Sequence, residues 1–132
     1  MTRALLEQVR NLQIPLGSYV LFGSAPMGVR GMREIKGVDI VVIPEVFEDF
    51  KKKPDWVFEI KPNGSECLRQ GSLEMFHGWW PGEWDVAKLI AEADLLEGLP
   101  FVRLEEVKRW KQMRNSDKDK VDLQLIASYQ GL

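Results

Sequence analysis

Val38-Asp39-Ile40-Val41-Val42-Ile43 is a nearly continuous apolar run with one carboxylate inside it. Such a run suits a β-strand covered on both faces, because successive side chains then enter two apolar layers rather than one. Asp39 is the anomaly. A carboxylate in an apolar strand is costly to desolvate unless it is paired or bound to a metal. Two readings stay open from the residues alone. One is an ion pair with a nearby Arg or Lys. The other is an oxygen ligand for Mg2+, which usually takes one or two carboxylates together with substrate phosphates.

Upstream, Tyr19 to Phe22 is a short β-type run that stops at Gly23-Ser24. A strand ending in Gly-Ser can present backbone N–H groups and a hydroxyl to phosphate oxygens. It can equally be an ordinary turn. Gly28 and Gly31 follow within a basic stretch that holds Arg30, Arg33 and Lys36. Before all of this, Ala4, Leu5, Val9 and Leu12 recur at helical spacing, which predicts an amphipathic helix over residues 3–13 ended by Pro15 and Gly17.

Downstream, Pro44 opens a helix over 44–52 with Val46, Phe47 and Phe50 on one face. Trp56 to Ile60 and Leu73 to Phe76 read as strands, separated by the turn cluster Pro62-Asn63-Gly64-Ser65. Val86 to Ala91 reads as a short helix. Leu95 to Val102 reads as a strand interrupted by Gly98-Leu99-Pro100, and Leu104 to Met113 and Lys120 to Tyr129 have helical periodicity. The order predicts an α/β (α+β) fold, a small mixed sheet with helices packed on it.

The chain has 132 residues, 45% apolar and 29% charged, a profile that predicts one domain with an ordinary hydrophobic core. The net charge of −2 excludes a global pull toward nucleic acid or anionic lipid, so any phosphate recognition must be local. A lone cysteine, Cys67, fits a reducing compartment. It has no base beside it in sequence to make it a nucleophile. No leader pattern and no apolar stretch of ~20 residues is visible, which predicts a cytoplasmic protein without membrane association. His77, the single histidine, reads as a packing residue. Trp79, Trp80 and Trp84 either stack a base or cover one edge of the core, the latter being the commoner use.

Leu21-Phe22-Gly23-Ser24, then Gly31-Met32-Arg33-Glu34, then Val38-Asp39-Ile40-Val41-Val42, resembles the nucleotidyltransferase superfamily. Leu96 to Val102, Leu104-Glu105-Glu106-Val107, Lys111 and Lys118-Asp119-Lys120-Val121-Asp122 extend the resemblance to small bacterial nucleotidyltransferase-like proteins related to abortive-infection toxins. It covers residues 18–128 or so. The resemblance implies a single nucleotidyltransferase-like domain over 1–132, with its core at about 18–102 and a C-terminal helical pair at about 103–130. It implies Gly23, Ser24, Arg33 and Lys111 as nucleotide contacts. It implies Asp39 and Glu74 as metal ligands, with Glu59 as the runner-up to Glu74, and Asp39, Glu74 and Asp122 as catalytic residues. The cofactor would be Mg2+ or Mn2+. The partners would be a nucleoside triphosphate, an RNA or protein acceptor, and a partner protein such as an antitoxin.

The family's strand carries two carboxylates at i and i+2, and here the first falls on Gly37. Glu34 is the nearest loop acid that could replace it. Ser116 stands where the family often has Arg, with Arg114 the nearest arginine. The resemblance therefore supports two functions. One is transfer of a nucleotidyl group to an acceptor hydroxyl. The other is a non-catalytic nucleotide-binding or interaction module of the same fold. For Lys111 and Asp122 the residues themselves leave a second reading open: a solvated helix face, or a carboxylate–base pair that fixes the last two helices together.

Overall fold

The computed structural model describes residues 1–131. Helix α1 (Thr2–Asn11) leads into strand β1 (Tyr19–Phe22), the short helix α2 (Ala25–Gly28) and strand β2 (Val38–Val42). Helix α3 (Pro44–Lys51) is followed by three strands, β3 (Val57–Ile60), β4 (Glu66–Gln70) and β5 (Leu73–Phe76). Helix α4 (Val86–Ala91), the hairpin β6 (Asp94–Leu96) and β7 (Leu99–Phe101), and helices α5 (Leu104–Arg114) and α6 (Asp117–Gln130) complete the chain. The fold is thus mixed α/β, as the residue pattern predicts.

The strands form one seven-stranded sheet in the order β3-β4-β5-β2-β1-β7-β6. β2 lies against β1 antiparallel and against β5 in parallel, so the apolar run of β2 is central. Its alternation serves two cores. Ile40 and Val42 face a layer with Leu5, Leu6 and Val9 of α1 and Phe47 and Phe50 of α3. Val41 faces the opposite layer, with Phe22, Trp79, Val107, Trp110 and Ile126. Burial on both sides is the physical reason that β2 carries almost no polar residue.

Asp39 shares the parity of Val41 and therefore points to the second layer, beneath α5 and α6. The same parity brings its neighbours across the sheet to that face. Asp39 is the direct register partner of Glu74 on β5 and of Phe22 on β1.

Some elements differ from their sequence reading. Residues 95–102 form a hairpin, not one interrupted strand. Glu97 and Gly98 both take positive φ (52° and 79°), the geometry of a two-residue hairpin turn. β4 has no apolar signature, because Glu66, Arg69 and Gln70 mask its pattern, yet Cys67 and Leu68 are fully buried. α6 begins at Asp117 rather than Lys120. The Ser116 hydroxyl accepts the Asp119 N–H while the Asp119 carboxylate accepts the Ser116 N–H, a capping box that starts the helix three residues early. No helix among the described residues is long and apolar enough to cross a membrane.

Candidate functional site

Gly23 ends β1 in a left-handed conformation, with φ of 63°. A β-carbon there would overlap Oδ2 of Asp39. The Gly-Ser turn and the strand carboxylate are thus in direct contact, and only glycine leaves room for the carboxylate.

Asp39 lies between two hollows. The first, of about 370 Å³, is walled by Phe76, Trp79, Trp80 and Trp110 and rimmed by Lys61, Asn63, Ser65 and Arg114. The second, of about 310 Å³, is lined by Ser24, Arg33, Lys36, Ser72, Glu74 and Lys118. One side of the carboxylate is therefore mainly aromatic and the other mainly cationic. Among the described residues no side chain donates a hydrogen bond to Asp39 and none forms an ion pair with it. Burial pushes its carboxyl up to about 6, and the Glu74 charge adds to the rise, against the weaker pull of Lys61 and Arg114.

Glu74 is differently placed. Its Oε2 takes Lys61 Nζ and, at 2.7 Å, Arg69 Nη2. Glu59 shares the same two cations, at 3.3 Å from Lys61 and 2.7 Å from Arg69. Glu59, Cys67 and Glu74 offer three ligand atoms within 4.8 Å of one another, close enough to hold a metal ion. The donor set is already engaged, however. Lys61 and Arg69 neutralise the two carboxylates, and burial followed by the Glu74 charge pushes the Cys67 thiol up to about 12. A hard cation would have to displace Lys61 and would find a protonated sulfur. Asp39, with no partner, is the better oxygen ligand.

Gly37 and Val41 flank Asp39 at i−2 and i+2 on the same face of β2, and neither supplies a carboxylate. Gly37 has a steric reason to remain glycine. A β-carbon there would sit 2.8 Å from the Ser72 carbonyl oxygen, which also accepts the Val38 N–H at 3.0 Å. Gly37→Asp is therefore expected to strain the β2–β5 junction and lower stability by about 1–3 kcal/mol, read by urea denaturation, without tightening metal binding. Glu34 does not replace the missing acid. It is held toward α1 by the Thr2 N–H at 3.3 Å and the Thr2 hydroxyl at 3.2 Å.

Lys111 and Asp122 lie outside the hollows, in a buried ion pair of 2.9 Å between α5 and α6. Lys111 is 1% exposed and Asp122 2%. This is the arrangement of the second reading of that segment, a carboxylate–base pair fixing the two helices. Asp122 also accepts from Arg33 Nη2 at 3.2 Å, while Arg33 Nε, 3.0 Å from Oδ1, is in ion-pair range without a hydrogen bond. Asp119, fully buried, accepts Arg114 Nε at 2.8 Å and Nη2 at 2.6 Å, besides the Ser116 groups. Burial raises the Asp119 carboxyl, but the hydrogen bonds from Arg114 and Ser116 outweigh it and hold it well below the usual range.

Trp79 stacks on Phe22 with centroids 4.5 Å apart, and Trp84 sits under Arg109 at 4.0 Å. Both have packing roles. Trp80, half-buried, is the tryptophan of the three most available to the first hollow. His77 pairs with Glu66 at 3.0 Å and packs on Phe47, away from Asp39.

Sequence reasoning missed Lys61, Asn63, Ser65, Lys118 and Arg114 as site groups. Asn63 and Ser65 lay in a recognised turn cluster, but nothing local says that the β3–β4 turn bends toward β2. No family model matches this chain, and neither a curated protein nor a solved structure shows significant similarity to it.

Proposed function

We propose that the cleft around Asp39 binds a divalent cation together with a nucleoside triphosphate, as a nucleotidyltransferase-like module whose transfer chemistry is weak or lost. The observation that carries this is an unpartnered strand carboxylate pressed against a Gly-Ser turn, with cationic side chains on one side and an aromatic wall on the other. Asp39 would supply the protein oxygen to Mg2+ or Mn2+, which accepts few protein ligands when phosphates complete its shell. Ser24, Arg33, Lys36 and Lys118 would face the phosphates. Trp80 would offer a ring face to the base.

Binding is favoured over catalysis because transfer through metal ions relies on a fixed pair of carboxylates. Here Gly37 and Val41 leave Asp39 alone on its strand, and Glu74 is tied to Lys61 and Arg69. Transfer to an RNA or protein acceptor is a second reading with one observation in its favour. Asp39 and Glu74 are register partners on neighbouring strands, so a second carboxylate stands beside the first and could share a metal if Lys61 gave way. A partner protein would then be expected to complete the system or to restrain it.

The two readings separate in one experiment. The protein is mixed with each α-labelled nucleoside triphosphate, Mg2+ or Mn2+, and pools of RNA and protein acceptors. The expected result is metal-dependent nucleotide retention that Asp39→Ala reduces at least tenfold, with no Asp39-dependent label on any acceptor. Label transfer abolished by Asp39→Ala establishes the enzyme instead. Retention that is unaffected by Asp39→Ala and by chelation contradicts both.

A further inference from the structure

Arg33 and Arg114 reach opposite sides of Asp39, one lining the cationic hollow and the other the aromatic one. Each is anchored to a buried carboxylate of α6. Arg33 places Nε 3.0 Å and Nη2 3.2 Å from Asp122, and Arg114 places Nε 2.8 Å and Nη2 2.6 Å from Asp119. Between the two carboxylates lies Lys111 Nζ, 2.9 Å from Asp122 and 3.7 Å from Asp119. The cluster has three cations and two carboxylates, so it carries one uncompensated positive charge.

We infer that Asp119 and Asp122 are positioning residues that fix Arg114 and Arg33 as paired oxyanion contacts flanking Asp39, with Lys111 as the buried cation that lets the carboxylates approach. Resting on the nucleotide-binding reading, this deepens it by assigning the anion contacts to the two arginines and not to Lys111.

The Lys111–Asp122 and Arg114–Asp119 pairs join α5 to α6, whereas Arg33 lies outside both helices and still reaches Asp122. Arg114 spends Nε and one Nη2 donor on Asp119, and Arg33 spends one Nη2 donor on Asp122 and one Nη1 donor on the Glu34 carbonyl. Each group still keeps N–H donors for a ligand, since a guanidinium has five. A free arginine side chain has rotamer entropy to lose, and an arginine already held by its carboxylate loses less of it on binding. A guanidinium also meets a phosphate with two parallel hydrogen bonds, which an ammonium cannot do.

The test uses inorganic tripolyphosphate without metal, measured by calorimetric titration of the full chain. Simple electrostatics predicts that Asp119→Asn or Asp122→Asn, each removing a negative charge, tightens anion binding. Positioning predicts the reverse, a weakening of at least fivefold. Arg33→Lys and Arg114→Lys preserve charge but give up the planar fork, and they give the second arm. They are expected to weaken binding at least fivefold at a temperature where circular dichroism shows each variant folded. Equal or tighter binding in the folded Asn variants, or unchanged binding in both Lys variants, overturns the inference while leaving nucleotide binding intact. An unaltered chain that binds neither tripolyphosphate nor any Mg–nucleotide overturns the underlying reading as well.

Discussion

Asp39→Asn is expected to make the folded protein more stable at neutral pH while removing its metal–nucleotide binding. The folded-state carboxyl is raised from 3.8 to about 6 by burial and by Glu74. Below about pH 4 the group is protonated in both folded and unfolded chains, and it contributes no difference. Between about 4 and 6 the unfolded chain loses its proton first, so native stability falls as pH rises. Above 6 the cost is complete. A shift of about two units corresponds to ~3 kcal/mol at about 1.4 kcal/mol per unit. Asparagine carries no such charge, and the expected gain is on the order of 2 kcal/mol at pH 7.5, shrinking toward zero at pH 4. Urea denaturation at the two pH values checks this. A structural carboxylate would behave oppositely, because its replacement would lose a partner. Asp39 has none to lose. A site kept at the expense of stability is the usual sign of a group retained for function.

The second large effect is expected at Lys111. Replacing it by alanine leaves Asp122, 2% exposed, with Arg33 as its remaining cation and opens a void beneath Trp110. Removing one partner of a buried ion pair costs about 3–5 kcal/mol, because the other charge stays buried. Lys111→Ala should therefore unfold at a markedly lower urea concentration than the unaltered chain. Lys111→Met, which keeps most of the packing volume, should fall between the two. A loss below 1 kcal/mol in Lys111→Ala would show that the pair is not the fastening between α5 and α6. Burial already lowers the Lys111 ammonium, with the Asp122 hydrogen bond opposing, as expected for a cation kept in place by its partner.

The central part of this fold was legible because its signals are local. β1 and β5 carry compact apolar runs, and β2 shows its burial on both faces in the run itself. The meeting of Gly23 with Asp39 was an expectation only through the resemblance, since the residues themselves left an ordinary turn equally open. β4 was not legible. Its half-buried charges pair with groups on β3 and β5, and only those non-local partners make it a strand. The function of the segment 111–122 was also hidden. Periodicity gives two helices, but only their packing shows that Lys111 and Asp122 point at each other and not at solvent. Lys61 and Arg114 entered the site by the same route. Each lies far along the chain from Asp39, and the fold alone brings them to the same hollow.

Everything turns on whether the Asp39 carboxylate is free and ready to take a cation. The direct measurement is a carboxyl 13C NMR titration of Asp39, alone and with Mg2+ plus a nucleoside triphosphate. The expected midpoint is near pH 6 for the protein alone, falling by more than one unit when the metal–nucleotide is present. A midpoint near 4 in both conditions would contradict it.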